Sequence, residues 1–246
     1  MTTKQDEIKI RKDRILSVTI NHYIRTVAPV SSEAIVKESR LDVSSATVRN
    51  ILAELEKEGY LTHPHTSAGR IPTQYGYRYY VDHLMNEIQL LEDEKNRIKE
   101  EYVKESSELE NLLEKTSEVL TDATHYTSII SVDGWGNRLF LRGTSLILQH
   151  PDYQKDIDKI HTILKTLEEK ERMLEVLNRA LRHKVDIYIG QEIACKPINS
   201  CSLVITGYKT RQGVSGRMAV LGPTRMNYER VVSTFEYLTE LMEEMF

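Results

Sequence analysis

Cysteine is scarce in this sequence, because its 246 residues include only Cys195 and Cys201. Two cysteines cannot hold a chain of this size together, which excludes a secreted disulfide scaffold and predicts reduced thiols in the cytoplasm. No apolar run reaches the ~18 residues that suggest a membrane span, and the charged segment 1–12 lacks the apolar core of a secretory signal. These absences predict a soluble cytoplasmic protein without a membrane partner.

Motifs of enzymes and of metal sites are missing as well. His63 and His65 are two residues apart with both cysteines far away in sequence, so the spacing does not supply the four converging ligands of a zinc site. Cys195 and Cys201 are six residues apart, which is not the C-x-x-C spacing of a redox pair. No G-x-S-x-G elbow, Walker loop or helix with paired histidines occurs. We therefore predict no enzyme, no metal and no cofactor.

What the sequence does contain is an uneven distribution of charge. The net charge is −4, with 40% hydrophobic and 28% charged residues, the balance of a soluble globular protein. Residues 1–80 hold 12 Lys and Arg against 9 Asp and Glu, whereas the rest of the chain is acidic. A mildly basic first third on an acidic body fits a nucleic-acid-binding domain on a second domain. The same excess is common in ordinary domains, so the local pattern has to decide.

The first sixty residues show the pattern of three helices. Apolar residues recur at helical spacing between Ile8 and Ile24, which predicts an amphipathic first helix. Ser31 is a good N-cap for a short second helix. Ser44 has the same role for a third helix over residues 45–57, and Gly59 is a typical C-cap. Two short helices joined by a tight turn predict a helix-turn-helix.

The N-terminal part of the third helix is the part that enters the major groove in this motif. Arginine pairs with guanine, asparagine with adenine, and serine or threonine with either a base or a phosphate. The candidate DNA contacts are Ser44, Ser45, Thr47, Arg49 and Asn50. A merely capping Ser44 and a merely solvated Arg49 explain the helix pattern equally well, so both interpretations stay open at this point.

Residues 60–73 follow with two short extended pieces around a turn-rich tip, the pattern of a β-hairpin wing. Small and hydroxyl-bearing residues at the tip let the backbone approach a phosphate. The candidate phosphate contacts of this wing are His63, His65, Thr66, Ser67 and Arg70. Thr73 then caps a tyrosine-rich helix that we expect to pack against the first helices, with Arg78 as one more phosphate contact.

Three blocks of this sequence resemble the HrcA family of bacterial heat-shock repressors. The first is the recognition-helix segment at residues 43–50. The second is the wing, residues 63–73, followed by Gly76-Tyr77-Arg78. The third joins residues 201–204 to the segment Gly222-Pro223-Thr224-Arg225-Met226-Asn227-Tyr228. The blocks stand in the family's order, and the resemblance reaches from about residue 10 to the C-terminal part of the chain.

The remaining sequence predicts one long helix and an α+β domain. Apolar residues fill seven of ten a and d heptad positions from Ile88 onwards, which favours a long helix that either lies on its own domain or forms a dimer seam. Beyond it we expect strands at 127–132, 139–141, 185–189, 202–208 and 214–221, with helices at 155–183 and 226–245. The predicted fold class is α+β. Its domains are a winged helix-turn-helix at 1–82, a long connecting helix at 83–126, and a regulatory or dimerisation domain at 127–246, which the resemblance implies to be GAF-like.

One departure from the family concerns length. The HrcA proteins that this chain resembles are longer, and they carry an inserted subdomain linked with dimer formation. We expect that insert to be missing near Gly134–Asn137. Dimerisation would then rest on other surfaces.

The resemblance implies a sequence-specific transcriptional repressor of chaperone genes. It implies a homodimer that binds double-stranded DNA at the CIRCE inverted repeat, in the cytoplasm and on the nucleoid. It also implies that a GroEL-type chaperonin keeps the repressor active. Two alternatives remain open: a winged-helix regulator whose C-terminal domain senses a small molecule, and a scaffold whose long helix binds a partner while the first domain is vestigial.

Overall fold

The computed structural model describes residues 4–39, 43–64, 69–86, 88–105, 109–136, 138–153 and 156–245. The chain divides into two compact units, Met1–Asn86 and Glu87–Phe246. Helices and an antiparallel sheet occur together, which confirms the predicted α+β fold class.

The first unit is built on three helices. Its elements in chain order are α1 (Lys4–Thr26), α2 (Ser32–Ser39), α3 (Ser45–Lys57), β1 (Leu61–Thr62), β2 (Ile71–Pro72) and α4 (Gln74–Tyr79), which continues as a π turn to Leu84. The predicted caps explain where the helices start. The Ala34 amide donates to the Ser31 hydroxyl at 3.2 Å and the Thr47 amide to the Ser44 hydroxyl at 3.1 Å. Completely buried aliphatic side chains of all three helices form the core: Ile15, Leu16, Ile20, Ile35 and Val48.

The tyrosine-rich segment packs onto α1, as the sequence predicts. Tyr77 and Tyr80 are buried, and the Tyr80 hydroxyl donates to Asn21 at 3.1 Å. The Tyr79 hydroxyl donates to Asp13 at 3.0 Å. Burial, together with this bond, raises the pKa of Tyr79 to about 12, so its hydroxyl stays protonated at neutral pH.

The second unit places a five-stranded sheet between helices. Its elements in chain order are α5 (Glu92–Glu105), α6 (Leu109–Thr124), β3 (Thr127–Val132), β4 (Leu139–Arg142), α7 (Leu146–Gln149), α8 (Ile157–Glu168), α9 (Lys170–Leu177), β5 (Val185–Ile189), β6 (Cys201–Lys209), β7 (Ser215–Pro223) and α10 (Tyr228–Met245). The strand order is β4-β3-β7-β6-β5, and all neighbours are antiparallel. The expected strands are present with ends shifted by at most two residues.

The alternation of side chains along β6 explains the layers. Cys201, Leu203 and Ile205 join a buried cluster with the apolar faces of α8 and α9. The residues between them face the opposite side, where α10 and α6 pack on the sheet. Because both faces are covered, β6 is buried without interruption from Cys201 to Thr206 and is exposed only at Lys209.

The prediction of a single long helix over residues 83–126 is wrong. The structure has two helices, and the Tyr102 hydroxyl of α5 donates to the Thr116 hydroxyl of α6 at 2.7 Å. Residues 14 positions apart on one straight helix would be separated by about 21 Å. The two helices therefore lie side by side, and the apolar heptad residues Ile98 and Leu112 are buried within this unit.

The C-terminal signature block links β7, β6 and α10. A Cβ at Gly222 would lie 2.8 Å from the Tyr126 ring, so only glycine fits there without a shift. Arg225 forms an ion pair with Asp152 at 2.5 Å, and the Tyr228 hydroxyl lies 2.7 Å from that of Ser202. These residues are occupied by contacts inside the fold, so packing accounts for this part of the sequence pattern.

Glu94 connects α5 to the other helices of the second unit. Its carboxylate accepts two hydrogen bonds from the Arg230 guanidinium, one of them 2.9 Å between Nη1 and Oε2. Arg230 also donates from Nε to the Ala123 carbonyl at 3.1 Å. The Arg230 hydrogen bonds hold the pKa of Glu94 below its ordinary value of 4.5.

We expect Glu94→Gln to lower the free energy of unfolding of this unit by about 1–3 kcal/mol at neutral pH, because Arg230 loses a charged partner. Since the pKa of Glu94 is lower in the folded state than in the unfolded state, this stabilisation is present above pH 4.5 and is lost as the pH falls through the folded value. Urea unfolding at several pH values measures the difference between variant and wild type, which should shrink as the pH falls below 4.5 and the Glu94 carboxylate takes up its proton.

The matched control is Glu92→Gln on the same helix. The Glu92 carboxylate is 79% exposed and pairs with Lys95 at 3.0 Å, so its loss should change stability by less than about 1 kcal/mol. A deficit of Glu94→Gln that stays constant down to the lowest pH would contradict a role of the carboxylate charge.

Candidate nucleic-acid interface

Helix α3 divides into a buried face and an exposed N-terminal end. Val48, Leu52 and Leu55 are buried at helical spacing and bind the helix to the core. Arg49 and Asn50 follow Val48 on the outward side and are exposed. The Arg49 side chain is 72% exposed, which leaves its guanidinium accessible to another molecule.

Ser44, Ser45 and Thr47 order the start of α3. The Ser44 hydroxyl caps the helix and lies 2.9 Å from the Thr47 hydroxyl. Ser45 is half-buried, and its hydroxyl lies 2.9 Å from that of Ser32, the first residue of α2. The predicted capping role of Ser44 is thus confirmed. A contact of the same hydroxyl with DNA stays a prediction.

The C-terminal half of α3 is acidic and is engaged inside the unit. Lys12 of α1 forms ion pairs with Glu54 at 3.3 Å and with Glu58 at 2.6 Å. Glu56 lies on the side of the β-ribbon, where His63 and Arg70 contact it. Carboxylates repel DNA phosphates, so the N-terminal half is the end of α3 that suits a nucleic acid.

Two strands and one bridge hold the wing in place. Leu61 pairs with Pro72 and Thr62 with Ile71 in an antiparallel ribbon. Val30, just before α2, exchanges two backbone hydrogen bonds with Arg70, at 2.8 and 2.9 Å. A Cβ at Gly69 would lie 2.5 Å from the Val30 carbonyl oxygen, so this close approach requires glycine.

His63 and Arg70 point at α3 in this structure. Arg70 Nη2 lies 2.7 Å from Glu56 Oε2, and His63 Nδ1 contacts the other oxygen of the same carboxylate. The Arg70 side chain is only 24% exposed. Both residues therefore fix the ribbon to α3. Contacts of these side chains with a phosphate, the role predicted from the sequence, remain a prediction.

The other predicted contacts are placed differently. His65, Thr66 and Ser67 at the tip of the wing lie outside the described residues. Arg78 is half-buried on α4 and pairs with Asp82 at 3.1 Å. Of the predicted set, the structure brings Ser44, Ser45, Thr47, Arg49 and Asn50 together at one end of α3.

One residue of this surface was missed by the sequence analysis. Glu33 of α2 accepts a hydrogen bond from Ser45 at 3.2 Å and lies 3.6 Å from Arg49. Hydrogen bonds from its own backbone amide and from neighbouring serine hydroxyls lower the pKa of Glu33, which keeps it ionised. Its position two residues after the cap Ser31 was the available signal.

The part of the chain that the structure describes contains neither a metal site nor a membrane-spanning helix. No group of three or more His, Cys, Asp and Glu side chains comes together there as a metal site. None of the helices in that part combines the length and the apolar character that crossing a bilayer requires.

The structure thus defines an α+β protein whose first unit has the element order of a winged helix-turn-helix: three helices and a two-stranded ribbon. The family model of the HrcA protein C terminal domain matches residues 83–232. The chain belongs to the HrcA family.

Curated members of this family align with nearly the whole chain. The heat-inducible transcription repressor HrcA of Carboxydothermus hydrogenoformans is 28% identical over 333 aligned residues, which cover 96% of this chain and 97% of that protein. HrcA of Symbiobacterium thermophilum is also 28% identical, over 334 residues covering 96% and 98%. A crystal structure of a hypothetical protein superposes with a TM-score of 0.71 at 18% identity and covers 95% of this chain and 96% of that one, which supports the fold.

The alignments also bear on the expected shortening. The alignment with the Carboxydothermus protein is 333 positions long and this chain has 246 residues, so at least 87 positions of that relative have no counterpart here. The comparison therefore supports the prediction that this chain is shorter than its relatives. In this structure β3 and β4 form a hairpin that pairs Ser131 with Leu139, close to the point where the sequence predicts the missing insert.

Proposed function

We propose that this protein is a sequence-specific transcriptional repressor of heat-shock genes, with double-stranded DNA as its partner. Membership of the HrcA family and the names of its relatives, heat-inducible transcription repressors, support this proposal. The observation that carries it is the capped, outward-facing N-terminal end of α3. Exposed Arg49 and Asn50 stand there next to each other on a helix that the core holds rigidly.

In the proposed mechanism this end of α3 enters the major groove. Arg49 pairs with the O6 and N7 acceptors of a guanine, and Asn50 with an adenine. Ser44, Ser45 and Thr47 contact bases or phosphates. The wing follows the backbone, with His65, Thr66 and Ser67 at its tip, while the ion pairs of His63 and Arg70 keep it against α3. An occupied operator then blocks the polymerase sterically.

We further propose that the repressor acts as a homodimer on the CIRCE inverted repeat. A two-fold symmetric pair of helix-turn-helix domains matches two half-sites, so the symmetry of the operator mirrors that of the protein. In this scheme residues 1–82 bind DNA, and residues 127–246 form a GAF-like regulatory and dimerisation domain. The helices α5 and α6 belong with that domain, because α6 packs on its sheet and on α10, and α5 packs on α6.

The third element of the proposal is control by a GroEL-type chaperonin. A repressor of marginal stability changes its active fraction several-fold for 1–2 kcal/mol, so a folding helper can set its activity. Heat-unfolded proteins would occupy the chaperonin, the repressor would lose activity, and chaperone genes would be transcribed.

Fluorescence anisotropy with three labelled duplexes tests the DNA-binding proposal. The duplexes carry the CIRCE repeat, a scrambled repeat and a single half-site, at low and moderate salt. We expect a clear preference for the full repeat and much weaker binding of the half-site, since the dimer uses both halves. Binding that ignores sequence and disappears with salt would overturn the proposal. Equally tight binding of the half-site would overturn the dimer alone.

Arg49→Ala tests the base contact within this function. Loss of a bidentate contact should cost about 1–3 kcal/mol on the repeat and relax the preference at one position in each half-site. Lys57→Ala, on the exposed C-terminal end of the same helix, removes the same charge far from the groove-facing end and serves as the control. An equal loss of affinity on all duplexes would identify Arg49 as a phosphate contact instead.

Operator occupancy after a heat step tests chaperonin control. The purified repressor is warmed, cooled and assayed on the repeat with and without chaperonin and ATP. We expect occupancy to recover further when the chaperonin is present, because it returns misfolded repressor to the binding-competent state. Identical occupancy in both samples at every temperature would refute this part of the proposal and leave DNA recognition untouched.

A further inference from the structure

Glu33 places a carboxylate on the same exposed surface as the residues proposed to contact DNA. The Glu33 side chain is 66% exposed, and its Oε1 lies 3.6 Å from Arg49 Nη2. The same Oε1 accepts hydrogen bonds from the Ser45 and Ser32 hydroxyls, each at 3.2 Å. One carboxylate oxygen therefore touches the first residue of α3 and the arginine one helical turn further on.

The position of Glu33 is also the meeting point of two helix N-termini. Ser32 begins α2 and Ser45 begins α3, and their hydroxyl oxygens are 2.9 Å apart. Helix N-termini carry a partial positive charge and attract anions, DNA phosphates among them. Here the protein's own carboxylate takes the place that such an anion would occupy.

This arrangement has two consequences for a DNA-binding surface. The carboxylate repels a phosphate that approaches the junction of α2 and α3, which weakens binding that does not depend on sequence. It also limits the directions in which the long, exposed Arg49 side chain points, because one of its terminal nitrogens is drawn to Oε1. An arginine restrained in this way loses less side-chain entropy when it pairs with a base edge.

We propose that Glu33 is a positioning residue that sets the sequence specificity of this surface. The proposal rests on the proposed DNA-reading function of α3. Glu33 holds Arg49 toward a base edge rather than toward the phosphate backbone, and it acts through Arg49. Removing its charge makes the protein bind unrelated DNA more tightly and discriminate less.

Glu33→Gln tests this role, because glutamine keeps the size of the side chain and an acceptor for Ser45 while it removes the charge. The ratio of the dissociation constants for the scrambled and the CIRCE duplex measures specificity. We expect this ratio to fall about threefold per half-site, the range of an exposed ion pair, and thus about tenfold on the full repeat. The affinity for the scrambled duplex should rise.

A double-mutant cycle with Arg49→Ala shows whether Glu33 acts through Arg49. Wild type, both single variants and the double variant are measured on both duplexes at one salt concentration, after thermal melting has shown that each is folded. We expect Glu33→Gln to lower the ratio in the wild-type background and to leave it unchanged in the Arg49→Ala background. Glu7→Gln, which removes an equal charge from an exposed position in the first turn of α1, is the control and should not change the ratio.

The outcomes separate this inference from the function on which it rests. A wild-type protein that prefers the repeat, with an unchanged ratio in Glu33→Gln, would overturn the inference alone. The same would follow from an equal fall of the ratio in both backgrounds, or from an equal fall in Glu7→Gln, since the effect would then be one of overall charge. A wild-type protein without any preference would overturn the proposed function and the inference together.

Discussion

Three carboxylates at the C-terminal end of α3, two within the helix and one on its cap residue Glu58, connect this helix to the rest of the first unit. Glu54 and Glu58 share Lys12 of α1, and Glu56 is contacted by His63 and Arg70 of the ribbon. These ion pairs are partly exposed, so each contributes modestly to stability. Their effect is to connect the C-terminal part of α3 to α1 and to the ribbon, so that its acidic side chains are paired within the unit. The end of this helix that suits a polyanion is then its N-terminal half, where the proposed DNA contacts of α3 lie.

The second unit depends on a different constraint, because helices have to cover both faces of one sheet. The apolar stripes of α8 and α9 cover one face, while α6 and α10 cover the other. The Arg230 guanidinium then joins Glu94 of α5 to the Ala123 carbonyl near the end of α6. The family signature around Arg225 and Tyr228 serves the same purpose, because its side chains contact β6 and the segment before α8.

Much of this fold could be predicted from the sequence, because it depends on local rules. The caps Ser31 and Ser44 and the alternation of apolar residues are visible in a single segment of chain. The hairpin of α5 and α6 was missed because a heptad pattern does not say which surface covers it, and here the second helix covers the first. The partners of charged side chains were missed for a related reason. His63 and Arg70 are seven and 14 residues from Glu56, and only the packed ribbon brings them to one carboxylate.

The bridge between Val30 and Arg70 links the ribbon to the segment that leads into α2. The bridge joins residues 40 positions apart, so its formation closes a large loop. Packing of the core must offset the chain entropy that is lost when this loop closes. The close approach of the two segments leaves no room for a side chain at position 69, so this position requires glycine. The segment that leads into α2 therefore loses two backbone hydrogen bonds when the ribbon melts. The two backbone hydrogen bonds between Val30 and Arg70 thus tie the position of the ribbon to that of the segment before α2, so we expect these two parts of the unit to unfold together.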